Sequence, residues 1–137
     1  MTDCVFCKIA ARQVPASVVH EDRHTIAFMD IGQVNPGHVL VATKAHFENV
    51  FELNDEQAGA VFRATARVAR AVRDAFAPQG LALFQANGKA AAQTVFHFHI
   101  HVLPRWENDG VRLGWPAKNP PREQLEECAV RIRARLS

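Results

Sequence analysis

The chain has 137 residues, of which 48% are apolar and 22% charged, and its formal net charge is +2. A chain of this size buries about two thirds of its unfolded surface, which fits one soluble globular domain over residues 1–137. The small net charge gives no case for nucleic acid as the main partner, and no apolar run approaches the ~18 residues of a membrane span.

The N-terminus, Met1-Thr-Asp-Cys4, lacks a basic region followed by an apolar one. No export signal is therefore expected, and the cytoplasm is the simplest compartment. The cysteines are Cys4, Cys7 and Cys128, an odd number with one C-x-x-C pair, so metal or redox roles are favoured over structural disulfides. A short apolar stretch occupies residues 4–10. Residues 17–20 and 24–30 read as strands joined by a tight turn at Glu21-Asp22-Arg23, with His20 and His24 exposed beside it. Asn35-Pro36-Gly37 is a turn, because Pro fixes φ and Gly allows φ > 0. His38–Thr43 follows as a third strand.

Asn54 is placed to cap a long helix, with Gln57 three residues later. Ala58, Val61, Phe62, Thr65, Ala69, Val72 and Phe76 recur at helical spacing and form its expected buried face. Arg63, Arg67, Arg70 and Arg73 lie off that stripe, as a solvated face would. Pro78 and Gly80 end the helix. Leu81–Gln85 reads as a strand, Asn87-Gly88 as a turn, and Gln93–Arg105 as a strand carrying three histidines. After a loop with Trp106 and Trp115, expected to pack, a last helix should bury Leu125, Ala129, Ile132 and Leu136. Cys128 beside that stripe reads as a small core residue, and Arg131, Arg133 and Arg135 as solvated. The order β-β-β-α-β-β-α predicts an α+β fold, with a mostly antiparallel sheet of about five strands, one long helix on one face and a C-terminal helix.

The histidine strand carries the chemistry. His97, His99 and His101 alternate with Phe98, Ile100 and Val102. A period of two puts the imidazoles on one face of a strand and the apolar residues on the other. At about 3.3 Å per residue, His97 and His101 stand roughly 13 Å apart. Neighbours could share a metal, but all three could not, so separate jobs are expected. Burying three unpaired imidazoles costs too much for a purely structural row. Imidazole attacks phosphorus and moves protons near neutral pH. Cys4-x-x-Cys7 is half of a tetrahedral zinc site, which His46 and His97 are candidates to complete, although redox and coincidental readings of the pair stand beside this one.

Together these segments resemble the histidine triad (HIT) family along nearly the whole chain. His97-Phe-His-Ile-His-Val-Leu103 matches the triad, Phe6-Cys-Lys-Ile9 the family's opening, and Phe28-Met-Asp-Ile31 its nucleoside pocket. Pro36-Gly-His-Val-Leu-Val41 and Asn87–Phe96 match two further signatures. The resemblance implies a nucleotide hydrolase or transferase acting at the α-phosphate of purine nucleotides. By it His99 is the nucleophile and forms a nucleotidyl-imidazole intermediate, and His101 bonds the phosphate. Asp30 accepts the ribose hydroxyls, and Phe6, Ile9, Phe28 and Ile31 sandwich the base. Asn87, Gln93 and Thr94 donate to phosphate oxygens or the leaving group.

It further implies no metal at phosphorus, a homodimer using the long helix and the Leu81–Gln85 edge, and structural zinc on Cys4, Cys7, His46 and His97, as in one subset of the family. His97 is then a zinc ligand that orients His99 or, with His38, part of a proton relay; a buried His38 bonded to backbone is the plainer reading. Ala92 stands where the family usually has Gly, which would strain the loop if its backbone needs φ > 0. Met29 replaces a histidine of some branches. Nucleoside phosphoramidates are the expected substrates. Dinucleoside polyphosphates are the alternative, to which Arg105 leans, and a non-enzymatic nucleotide-binding module or a metalloenzyme using His97 and His99 as ligands stand further off.

Overall fold

The structure is a computed structural model that describes residues 3–112 and 114–137, so the N-terminal stretch read for an export signal begins outside them. Five strands form one antiparallel sheet in the order β1-β2-β3-β5-β4, where β1 is Val18–Glu21, β2 Thr25–Met29, β3 Val39–Thr43, β4 Gly80–Phe84 and β5 His99–Arg105. Helix α1 spans Val5–Ala10, α2 Asp55–Phe76 and α3 Arg122–Arg133. The α+β architecture and the antiparallel sheet match the sequence expectation; α1 is an added element. Its six residues are capped by their neighbour, as the Cys4 thiol accepts the Cys7 N–H at 3.4 Å.

The sheet separates two clusters. On one face Ala27, Val39, Val41, Ile100 and Val102 pack against Val61, Ala64, Val68 and Val72 of α2. On the other, Ile26, Phe28, Leu40 and Ala42 pack against Phe6 and Ile9 of α1. β2 and β3 are thus covered on both sides, which explains their near-continuous burial. β5 lies between β3 and β4, with His101 opposite both Leu40 and Phe84 and His99 opposite Ala42. Ile100 and Val102 face α2, so His99 and His101 face the α1 side.

Asn54 caps α2 as expected, accepting the Gln57 N–H at 2.8 Å. The Gln57 side chain turns to His24 (3.3 Å) instead of closing a capping box. The buried face of α2 is Ala60, Val61, Ala64, Thr65, Val68 and Val72, which corrects the stripe expected from the sequence. Ala58 is exposed, as are Phe62 (57%) and Phe76 (43%). Small residues bring the helix axis close to the sheet and leave the large rings at its flanks. The Phe76 ring instead lies over Gly37, whose φ is +95° and where an added Cβ would stand 2.8 Å from Phe76 Cδ2. His20 and His24 are half-buried, engaged with Asp22 and Glu56 respectively.

The largest departure is α3. Leu125, Ile132 and Leu136 are exposed, Ala129 is half-buried, and Cys128 is exposed, not a core residue. The preceding segment has no helix or strand between Trp106 and Pro121 among its described residues and carries three prolines, so α3 is not folded back over the sheet. Trp115 is exposed and Trp106 half-buried.

Candidate functional site

Two groups of side chains meet at the α1 side of the sheet. The first gathers Cys4, Cys7, His46 and His97, whose ligand atoms all lie within 4.8 Å of one another. His97 lies in the bend just before β5, on the same α1 side of the sheet as His99 and His101 because Phe98 packs into the α2-side cluster, and is fully buried. Its Nε2 is 2.6 Å from the Thr43 carbonyl. A carbonyl only accepts, so Nε2 carries the proton and Nδ1 the lone pair. That lone pair faces Cys4 Sγ at 3.2 Å and Cys7 Sγ at 3.5 Å, while His46 Nδ1 is 3.4 Å from Cys7 Sγ. Zinc bond lengths of about 2.3 Å to sulfur and 2.05 Å to nitrogen give a tetrahedral S···N edge of roughly 3.6 Å. The four donors are arranged close to that edge length, and the Thr43 carbonyl is the second contact that metal-bound imidazoles characteristically make.

The second group lines an open cavity of about 440 Å³. Phe6, Ile9, Val14, Phe28 and Leu40 form its apolar wall, and Asp30, Thr94, His99 and His101 are its polar side chains. Ile31 reaches the rim but is fully exposed. The Phe6 ring stands edge-on to Phe28 (centroids 5.2 Å) and to His99 (5.0 Å). His99 Nδ1 is 2.7 Å from the His97 carbonyl, so the proton is on Nδ1. Nε2 holds the lone pair and has no protein partner among the described residues. Burial lowers the His99 pKa, opposed by that hydrogen bond and by Asp30. His99 is therefore neutral near pH 7, with the lone pair of Nε2 bare.

His38 is almost fully buried and pairs with His101, its Nε2 2.8 Å from His101 Nδ1. The proton-relay pairing of His38 with His97 does not occur, because the two lie at opposite ends of the row. The Val34 N–H donates to His38 Nδ1 (3.2 Å), so the His38 proton is on Nε2 and points at His101 Nδ1. His101 then carries its own proton on Nε2. Asp30 Oδ2 is 3.4 Å from His38 Nε2, and Asp30 Oδ1 accepts the Gly32 N–H at 2.7 Å. Burial, then the neighbouring His99 and His38, push the His101 pKa down to about 4. Burial also lowers that of His38. Asp30, His38 and His101 could be grouped as metal ligands. The Val34 N–H argues against it, because binding through Nε2 would require a doubly deprotonated ring. Nor do His97 and His99 converge: the His97 lone pair faces the two thiols and that of His99 faces the cavity, so the two are not grouped as ligands of one metal.

Of the three expected phosphate donors, only Thr94 is on the cavity wall. Gln93 is buried, donating to the Glu48 carbonyl at 2.6 Å and accepting the Gly88 N–H at 2.7 Å. Asn87 accepts the Val50 N–H at 2.8 Å and exchanges two bonds with Gln85. These commitments tie the loop to residues 48–50 and use both N–H groups of Gln93, whereas Asn87 Nδ2 keeps one N–H beyond its bond to Gln85. Ala92 has φ +74°, the strained conformation foreseen for a residue replacing Gly. Arg105 is held by Asp109 (2.7 Å) and the Val111 carbonyl (3.1 Å), not directed at the cavity, which removes the basis for extra-phosphate recognition. Sequence reasoning missed Gln33. Its side chain donates to the carbonyls of Asp30 (2.6 Å) and His38 (2.7 Å) and accepts the Gly37 N–H (3.0 Å), closing the loop between the two site residues.

Residues 11–108 match the family model described as HIT domain. Protein hit of Bacillus subtilis is 44% identical, covering 98% of this chain and 95% of its own length. A crystal structure of a HIT family member from the same species superposes with a TM-score of 0.94 at 43% identity, covering 98% of both chains. An adenosine 5'-monophosphoramidase of Schizosaccharomyces pombe is 30% identical, with 97% of this chain and 98% of that protein covered. A zinc-bound histidine triad family protein from Mycobacterium smegmatis gives a TM-score of 0.76 at 31% identity, covering 97% of both.

Proposed function

The chain belongs to the histidine triad family, and from that membership we propose that it cleaves nucleoside 5'-phosphoramidates at the α-phosphate through a nucleotidyl-His99 intermediate. The observation that carries this reading is the Nδ1–H of His99 on the His97 carbonyl, which leaves Nε2 bare in a nucleotide-sized cavity. Nε2 attacks phosphorus as the P–N bond breaks, and the leaving nitrogen takes a proton from solvent water and departs as the neutral amine. His101, protonated on Nε2 by its pairing with His38, donates to a phosphate oxygen. Thr94 is a further donor. Water then attacks phosphorus and gives up a proton to solvent, the P–N bond to His99 breaks with its electron pair returning to Nε2, and the nucleoside 5'-monophosphate departs. Neutral donors aimed at the developing charge suffice for stabilisation.

Asp30 accepts the ribose hydroxyls through Oδ2. Phe6, Ile9 and Phe28 hold the base, with Ile31 closing the rim. Gln93 shapes the loop with both N–H groups on backbone carbonyls, and the second N–H of Asn87 serves as a further donor. Cys4, Cys7, His46 and His97 hold a zinc ion with no open position, which supplies structure and no chemistry. Zinc joins α1, and hence the base wall, to the bend that delivers His99. The zinc-bound relative supports this assignment. The arginine-free cavity and the phosphoramidase relative favour phosphoramidates over dinucleoside polyphosphates. β4 is a sheet edge, and its exposed Leu83 and Phe84, with Phe62 of α2, suit a homodimer contact.

The test mixes enzyme with adenosine phosphoramidate, quenches in acid and weighs the protein. Added nucleotidyl mass at His99 is expected, and its absence under single turnover overturns the covalent route. A kcat/KM for diadenosine polyphosphates above that for the phosphoramidate would reverse the substrate assignment.

A further inference from the structure

We propose that Asp109, acting through Asn35, is a positioning residue of the reaction centre. Five donor groups converge on its carboxylate. Arg105 donates from Nε to Oδ2 (2.7 Å) and from its terminal nitrogen to Oδ1 (3.2 Å). The backbone N–H groups of Trp106 (3.1 Å) and Val111 (3.0 Å) fix the loop after β5. The Asn35 side chain donates to Oδ2 at 2.9 Å. The Asp109 side chain is only 6% exposed, and the arginine beside it holds its pKa far below the usual carboxylate range. Its charge is therefore constant wherever the protein is folded.

Asn35 is buried and uses the same amide to meet the Pro104 carbonyl at 2.9 Å. β3 begins at Val39, opposite Val102, so Pro104 lies beyond the last β5 residue that β3 pairs. The Asn35 amide replaces the missing ladder donor. The Asn35 carbonyl meanwhile accepts the His38 N–H at 3.2 Å. One residue thus joins the end of β5 to the turn that sets His38. That turn also aims the Val34 N–H at His38 Nδ1, and this bond, together with the Asp30 carboxylate 3.4 Å from Nε2, keeps on Nε2 the His38 proton shared with His101. If the clasp opens, the turn loosens, Nδ1 can take the proton, and His101 loses its donor. Asp109 touches neither cavity nor substrate.

The catalytic part of this inference rests on the phosphoramidate reading; the tautomer part does not, and the two are measured separately. Imidazole 15N shifts distinguish a protonated from a bare ring nitrogen. In the zinc-loaded wild-type protein His38 should show a bare Nδ1 and a protonated Nε2. In Asp109→Ala and in Asn35→Ala it should become a mixture of tautomers. With adenosine phosphoramidate as probe, kcat should fall on the order of 10-fold in each variant, and the double variant should lose no more than either alone, because both act through one contact. Asn35→Ala keeps the Arg105–Asp109 pair, so it decides the question should Asp109→Ala fail to fold. A wild-type His38 spectrum in Asn35→Ala overturns the proposal. Multiplying losses in the double variant would do the same. A mixed tautomer in a protein that turns over no phosphoramidate would uphold the clasp and sink the substrate reading instead.

Discussion

His97 and His99 are two residues apart and carry opposite tautomers. His97 gives its Nε2 proton to the Thr43 carbonyl and turns Nδ1 to two thiols; His99 gives its Nδ1 proton to the His97 carbonyl and turns Nε2 to the cavity. In each case a backbone acceptor, not the imidazole, chooses the nitrogen that is left bare. The end of the row at Cys4, Cys7 and His46 is closed around its lone pair, as a structural ligand set must be. The end at His99, His101 and Asp30 is open to a cavity. Identical side chains thus present a lone pair to two thiols in one case and to an open cavity in the other.

If the ends are chemically distinct, they should fail differently. The largest effect is expected for His99→Ala. Turnover should fall by about 10³-fold or more, as for removal of a covalent nucleophile, while calorimetry should still detect nucleoside monophosphate binding and zinc content should not change. Next is Cys4→Ser. Losing metal held at about 1,000 times its Kd removes about 4 kcal/mol, on the order of 10 °C in Tm for a chain of this length. Metal analysis and thermal melts check it, and a variant that keeps one zinc per chain would erase the distinction between the ends.

The pH response separates them further. The folded pKa of His101 is lowered to about 4 and that of His38 is lowered too. The unfolded chain, with histidines near 6.5, binds more protons below that pH. Stability from these groups is thus complete above about pH 6.5 and is lost progressively down to about pH 4. Melts of the Cys4→Ser variant across this range should retain the loss, since it belongs to the cavity end. A flat profile would assign the acid sensitivity to the metal end. The smallest effect is Ala92→Gly. Relieving φ +74° should raise stability by at most about 1 kcal/mol, because Gly also gains freedom in the unfolded chain. A drop in Tm would mean that the Ala92 backbone is not strained.

Much of this was legible in the sequence. Alternation located the strands, Asn54 and helical spacing located α2, and the triad motif with Cys4-x-x-Cys7 named the chemistry. What escaped follows from the same physics. Periodicity says which residues share a face, not which face is covered; hence Phe62 and Phe76 displaced Ala60, Ala64 and Val68 in the expected stripe, and the apolar side of α3 was read as buried. α1 is too short for a periodic signal. The amides of Asn87 and Gln93 and the carboxylate of Asp109 find partners by tertiary closure, up to 74 residues away for Asn35 and Asp109, and no local pattern encodes such a pairing.

The position of β5 has one last consequence, for the order of assembly. It is the final strand in the chain, yet it lies between β3 and β4. The hairpin of β4 and β5 can form by itself, since its partners are near in sequence, but it must then slot against an edge that β3 has held open. Until it does, the thiols near residue 5 lack His97, the base wall has no nucleophile to face, and Asn35 has no carbonyl to meet. The contact of β5 with β3 thus joins the sheet, the Cys4, Cys7, His46 and His97 cluster and the cavity wall in one piece of architecture.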